Sequence, residues 1–175
     1  GMLYEVLPNA KEYTGKAILP ECKALNEAFK TSGQVQFVCR AGNFAKKGLS
    51  YTGALKVMRV MMGYDYLWNN VRVKGGAYGC MSSFMRNGDS YFVSYRDPNL
   101  QKTIEVYEKT SEYLRGFVAD ERTLTQYIIG TISDLDTPLS PAAYGTFCLN
   151  AYLSEITEEM IQKDRDEVLG VTQEE

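Results

Sequence analysis

The sequence predicts an α+β fold, a mainly antiparallel sheet with helices packed on one face. Three observations lead there. Short runs alternate apolar and polar residues, the mark of half-buried strands. A segment of helical period divides these runs into pairs. From Asp97 onward the helical period recurs in several capped stretches. Strands paired around a helix and followed by a run of helices bury one sheet face under those helices. The 175 residues, 45% apolar and 23% charged, suffice for one domain with its own core.

Residues 1–20 are poorly periodic, with Pro8, Gly15 and Pro20 as breakers, and read as an irregular lead-in. Gly1 before Met2 reads as a scar left by a cleaved tag. A single module is expected over residues 21–170, with a frayed tail at 171–175. Leu25 to Phe29 alternates weakly, and Ser32-Gly33 makes a turn. Val35, Phe37 and Cys39 then alternate with Gln34, Gln36 and Arg40, which predicts a strand. Ala41 to Ser50 carries Gly42, Asn43 and Gly48 and is expected as a loop.

From Thr52 the period changes, and Leu55, Met58, Met61 and Met62 predict the buried face of a helix that Gly63 interrupts. Tyr64 to Val71 continues it for a turn or two before Gly75-Gly76. Ala77–Phe84 and Ser90–Arg96 are expected as strands around Asn87-Gly88, a dipeptide suited to a type I′ hairpin. Asp97 is placed to cap a helix with Pro98 in its first turn and Leu100, Ile104, Tyr107, Ser111 and Leu114 as its stripe. Asp120 caps the next, with Leu124, Ile128, Ile132 and Leu135 inward. Ser140-Pro141 and Thr157 start two more, with Leu139 and Tyr144, then Ile156 and Ile161, as hydrophobic staples.

Composition narrows function. A net charge of −3 without a Lys/Arg cluster argues against nucleic acid and anionic membranes as partners. No stretch reaches the roughly 18 apolar residues of a membrane span, and the start lacks a secretory pattern. With no histidine, the chain has no imidazole ligand and no Ser-His or Cys-His nucleophile. Cys22, Cys39, Cys80 and Cys148 form no C-x-x-C pair, so no metal site is expected. The cysteines read as buried reduced thiols, which implies a cytoplasmic location.

One segment offers chemistry beyond packing: Arg72-Val73-Lys74-Gly75-Gly76-Ala77-Tyr78-Gly79. Adjacent glycines let a backbone approach another chain or adopt positive φ. Arg72 and Tyr78 flank them, and both can donate to carbonyls of an extended peptide. A plain helix-to-strand turn with a solvated arginine and a packed tyrosine is the alternative. The glycines precede a strand, so a phosphate-binding loop or dinucleotide fingerprint does not fit. In Ser94-Tyr95-Arg96-Asp97-Pro98-Asn99, a capped helix start accounts for Asp97 and Pro98, while Arg96 and Asn99 are left over. Asp134, Asp136, Glu158 and Glu159 read as solvated helix faces.

Asn26-Glu27-Ala28-Phe29, Gln34 to Val38, and Tyr64 to Gly79 with its Arg-x-Lys-Gly-Gly-Ala-Tyr-Gly run together resemble the C-terminal part of the presequence-protease branch of the insulinase/pitrilysin zinc peptidases. So do Ser94 to Asn99, Leu124-Thr125 and Ile128 to Ile132. The resemblance spans roughly residues 20 to 170. It implies a metallohydrolase-type module, one of four that close in two halves around an unfolded peptide. The zinc would lie in the N-terminal module of the parent polypeptide, with no cofactor in this chain. Matched onto this sequence, Arg72 would hold the substrate backbone. Tyr78 would stabilise the oxyanion, with Gly75 and Gly76 lining the substrate path. The implied partners are the peptide substrate and the other modules; a non-catalytic peptide-binding or assembly module is the alternative. The chain departs from the pattern in lacking histidine. It also ends near Val171, where such proteins continue into a further helix and strand. The sheet edge so left open is expected to favour dimers of the isolated chain.

Overall fold

Strand β1 (Gln36–Asn43) is the first described element in a computed structural model that describes Gly15 and residues 32–174. The expectations for residues 1–14 and for Leu25–Phe29 lie outside the described residues. Every element below belongs to the compact unit Gly33–Glu175.

Among the described residues, strands β2 (Gly79–Phe84) and β3 (Asp89–Asp97) join β1 in a three-stranded antiparallel sheet of order β1-β3-β2. Val38 and Cys80 both face Ser94 across the ladder, and this row lies under the helices. Cys39, Val93 and Met81 form the neighbouring row on the other face, where Cys39 and Met81 are exposed. One face is therefore covered, as the α+β reading requires. β1 runs through Ala41, Gly42 and Asn43, which the sequence assigned to a loop, because they pair with Tyr91, Ser90 and Asp89. The Asn87-Gly88 hairpin is also different in kind. Only Gly88 takes positive φ, at 90°, and its N–H donates to the Met85 carbonyl at 2.9 Å. That is a three-residue loop closing on a left-handed glycine, not a type I′ turn.

Helix α1 (Ala54–Tyr64) buries Val57, Val60, Met61 and Met62. Leu55 and Met58 are only half-buried, so the inward face is rotated from the predicted one. Gly63 does not break the helix: a single glycine in a helix is a modest cost that tertiary packing overrides. The chain continues into a π-helical turn, Trp68–Val73. Then come α2 (Gln101–Glu108), α3 (Thr110–Gly116), α4 (Glu121–Leu135), α5 (Pro141–Leu153) and α6 (Glu158–Leu169). Three caps form as predicted: Asp120, Ser140 and Thr157 accept from the N–H groups of Thr123, Ala143 and Met160.

Asp97 does not cap. It ends β3, wholly buried, and the helix starts four residues later at Gln101. Leu100, Leu135, Leu139 and Tyr144, predicted inward or stapled, stand exposed. Val171, expected to fray, is buried with Val57 and Val168. Among the described residues, two clusters make the core. One joins Val38, Tyr66, Leu67, Val71, Ala77 and Tyr107 between sheet, π turn and α2. The other joins α1, α4 and α6 around Val57 and Val168. The first positions the candidate site. The cysteines differ from expectation too: Cys39 and Cys148 are exposed and Cys80 is half-buried, all three as free thiols.

Candidate functional site

The π turn is anchored from below and reaches outward above. Leu67 and Val71 are fully buried, and Tyr66 stacks on Tyr113 with its hydroxyl donating to the Val106 carbonyl. This leaves Trp68 and Arg72, one turn apart, on the outer side. The Arg72 guanidinium lies 4.0 Å from the Trp68 ring centroid, a cation–π contact that holds the side chain without a carboxylate. π-helical turns are rare and occur frequently at functional sites.

The double glycine then closes the turn. Gly76 N–H donates to the Arg72 carbonyl at 2.9 Å, and Ala77 N–H to Val71 at 3.2 Å. Gly75 has to be glycine here, since a Cβ would meet the Val71 carbonyl oxygen at 2.4 Å. Gly76 sits at φ +78°, in the left-handed region that other residues rarely adopt. The Asn99 side-chain amide donates to the Gly75 carbonyl and ties the loop to the end of β3.

Tyr78 follows immediately. Its N–H is shared between the carbonyls of Tyr95 and Arg96, which aligns it at the mouth of β2. Its ring lies 5.5 Å from that of Tyr95, and the Arg96 guanidinium is 5.8 Å from its centroid. The side chain is 60% exposed. Gly79 admits the Tyr95 ring, because a Cβ there would meet it at 2.4 Å.

Arg72, Gly76, Tyr78, Trp68, Val73 and Arg96 line one open concavity of about 740 Å³, in which no lining residue is acidic. Of the four residues predicted from sequence, three line it; Gly75 lies just behind and shapes it. Sequence reasoning passed over Trp68, and left Arg96 and Asn99 unexplained by the capped-helix reading of their segment without giving them a role. The Ser94–Asn99 run was the available signal. Burial pushes the Cys80 thiol up to about 11, with Arg72 opposing only in part, which disfavours the thiolate. Among the described residues, no three His, Cys, Asp or Glu side chains come together to hold a metal ion. No helix among them is long and apolar enough to cross a membrane.

Known proteins share this chain's pattern. The family model of the PreP C-terminal domain matches residues 26–175. "Protein HypA" of Clostridium perfringens is 49% identical over 145 residues, which cover 83% of this chain and 15% of that protein. "Presequence protease 1, chloroplastic/mitochondrial" of Arabidopsis thaliana is 41% identical over 145 residues, or 82% of this chain and 13% of that protein. "Presequence protease, mitochondrial" of Drosophila melanogaster is 33% identical over 120 residues, 67% and 11% respectively. The chain thus spans only a small fraction of the length of these relatives. The π turn, the double glycine and Tyr78 all fall inside the matched region, and the chain belongs to the PreP C-terminal domain family.

Proposed function

We propose that this chain is the C-terminal, non-zinc-binding module of a zinc-dependent endopeptidase that degrades unfolded peptides in a closed chamber. The observation that carries the reading is the meeting of Arg72 and Tyr78 on one open, acid-free concavity. Family membership supports the module assignment. The chain's own residues do not fit a zinc site, since it has no histidine and the described residues gather no ligand cluster. The metal would belong to an N-terminal module of a longer polypeptide.

In this proposal Arg72 supplies a planar fork of donors to substrate backbone carbonyls, pre-oriented by Trp68. The Tyr78 hydroxyl donates to the scissile carbonyl oxygen as negative charge develops on it, a contribution realised mainly in the transition state. Gly76 keeps the wall between them free of a side chain and Gly75 shapes it from behind, so an extended peptide can come close. The cytoplasmic location inferred from free thiols is part of the proposal; the plant and insect relatives carry organellar names.

Arg72→Lys in the full-length polypeptide tests it. An ammonium keeps the charge but loses the fork, and kcat/KM for an unfolded peptide is expected to fall about tenfold or more. An unchanged value contradicts the clamp. A non-catalytic peptide-binding module would use the same two groups, and a polypeptide without zinc ligands upstream would favour it.

A further inference from the structure

We propose that Arg96 is a second substrate-contact guanidinium, and that with Arg72 it makes the concavity a receiver for a carboxylate of the bound peptide. This rests on the peptide-binding reading above and adds the chemical class that the site selects.

The backbone is the first observation. Arg96 sits at φ +48°, a left-handed conformation that is uncommon for a long side chain and natural for glycine. Such strain persists only where the surroundings over-determine it, and it gathers at functional positions. Here both sides are pinned. Tyr78 N–H bonds to the Arg96 carbonyl at 3.4 Å. Next in the chain, buried Asp97 accepts from the hydroxyls of Ser94 at 2.5 Å and Thr103 at 2.7 Å, and from Asn99 N–H at 2.8 Å.

The second observation is the company Arg96 keeps. Arg40, Arg59, Arg86 and Arg165 each pair with a carboxylate. Arg72, Arg96, Arg115 and Arg122 form no ion pair among the described residues, and of these four only Arg72 and Arg96 rest on an aromatic ring. Both line the same concavity, whose walls carry no acid. Two held guanidinium groups without a counter-charge present what a carboxylate binds: charge-assisted donors in fixed forks. On a peptide that carboxylate is an Asp or Glu side chain, or the C-terminus.

Trp68 is the single tryptophan of the chain and lines the concavity, so its fluorescence reports occupancy. The test titrates the 175-residue chain with three peptides of otherwise identical sequence. One is neutral and amidated, one carries a single Glu and is amidated, and one is neutral with a free C-terminal carboxylate. At least one carboxylate peptide is expected to bind about five-fold tighter than the neutral one, the scale of one exposed ion pair. Which peptide gains identifies the source. The advantage shrinks as salt rises. Arg96→Gly is expected to erase it while leaving the melting temperature equal or higher, because glycine relieves the positive φ. Equal binding of all three peptides, or an undiminished advantage in Arg96→Gly, overturns the inference and leaves the peptide-binding reading standing. A Trp68 signal silent to every peptide up to millimolar concentration overturns the inference, while the peptide-binding reading is judged separately by Arg72→Lys in the full-length polypeptide.

Discussion

Gly75→Ala probes directly how the fold builds its concavity. The added methyl would lie 2.4 Å from the Val71 carbonyl oxygen and 3.1 Å from that of Asn70. Both are backbone atoms, so no side-chain rotation relieves the overlap. Ordinary contact begins at 3.4 Å, so the loop must move by about 1 Å. That displacement strains the bonds from Ala77 to Val71 and from Gly76 to Arg72, and pulls on the Asn99 contact at Gly75. Overpacking of this kind costs about 1–3 kcal/mol. A shift of about 1 Å in a positioning segment is enough to lower turnover about 10²-fold in an enzyme that uses it. Gly63→Ala is the internal control. It makes the same substitution in α1 where nothing lies within 4 Å, and should stabilise by about 0.5–1 kcal/mol through helix propensity. Urea unfolding of both variants, followed by tryptophan fluorescence, reads the two signs. Peptide titration of the Gly75 variant reads the site. A Gly75→Ala chain as stable as the parent, with an unaltered Trp68 response, would refute the claim that this tight passage organises the concavity.

Two further outcomes are expected. Asp97→Ala leaves the buried hydroxyls of Ser94 and Thr103 without their acceptor and should cost about 3–5 kcal/mol in chemical denaturation; a cost below about 1 kcal/mol would show that the knot at the end of β3 is not structural. The 175-residue chain should neither take up zinc stoichiometrically by metal analysis nor cleave a quenched peptide, and either activity would contradict its place as a module dependent on others.

The local signals in the sequence were legible where local chemistry decides the structure. Asp120, Ser140 and Thr157 cap because their side chains bond to the N–H three residues on, whatever surrounds them. Alternation located β1 but inverted its faces, since Val35, Phe37 and Cys39 are exposed and Val38 is the buried residue; the shift of period placed α1. Reading failed where tertiary contacts outvoted a local rule. Asp97 before a proline has the local form of a cap, but burial gives its carboxylate three donors and makes it the knot beneath Arg96. Val57 and Val60 face inward in place of Leu55 and Met58 because α4 and α6 approach from that side, which no single-helix pattern records. Val171 is held by the same cluster. In the candidate site, Arg72, Tyr78 and the glycines stood out by residue type with a plain helix-to-strand turn as the alternative, and the family resemblance supplied their expected roles. Arg96 stood out only as a residue the capped-helix reading left over, because a positive φ at arginine is imposed by its neighbours and leaves no mark in composition.

The central claim is that a phenol at the mouth of β2 assists bond cleavage in the complete polypeptide. Tyr78→Phe removes only the hydroxyl, and the ring's contact with Tyr95 should survive. Steady-state kinetics of that variant in the full-length protein should show kcat lowered about 10²–10³-fold with little change in KM, the loss expected of one oxyanion donor. A kcat equal to that of the unsubstituted enzyme would contradict the account.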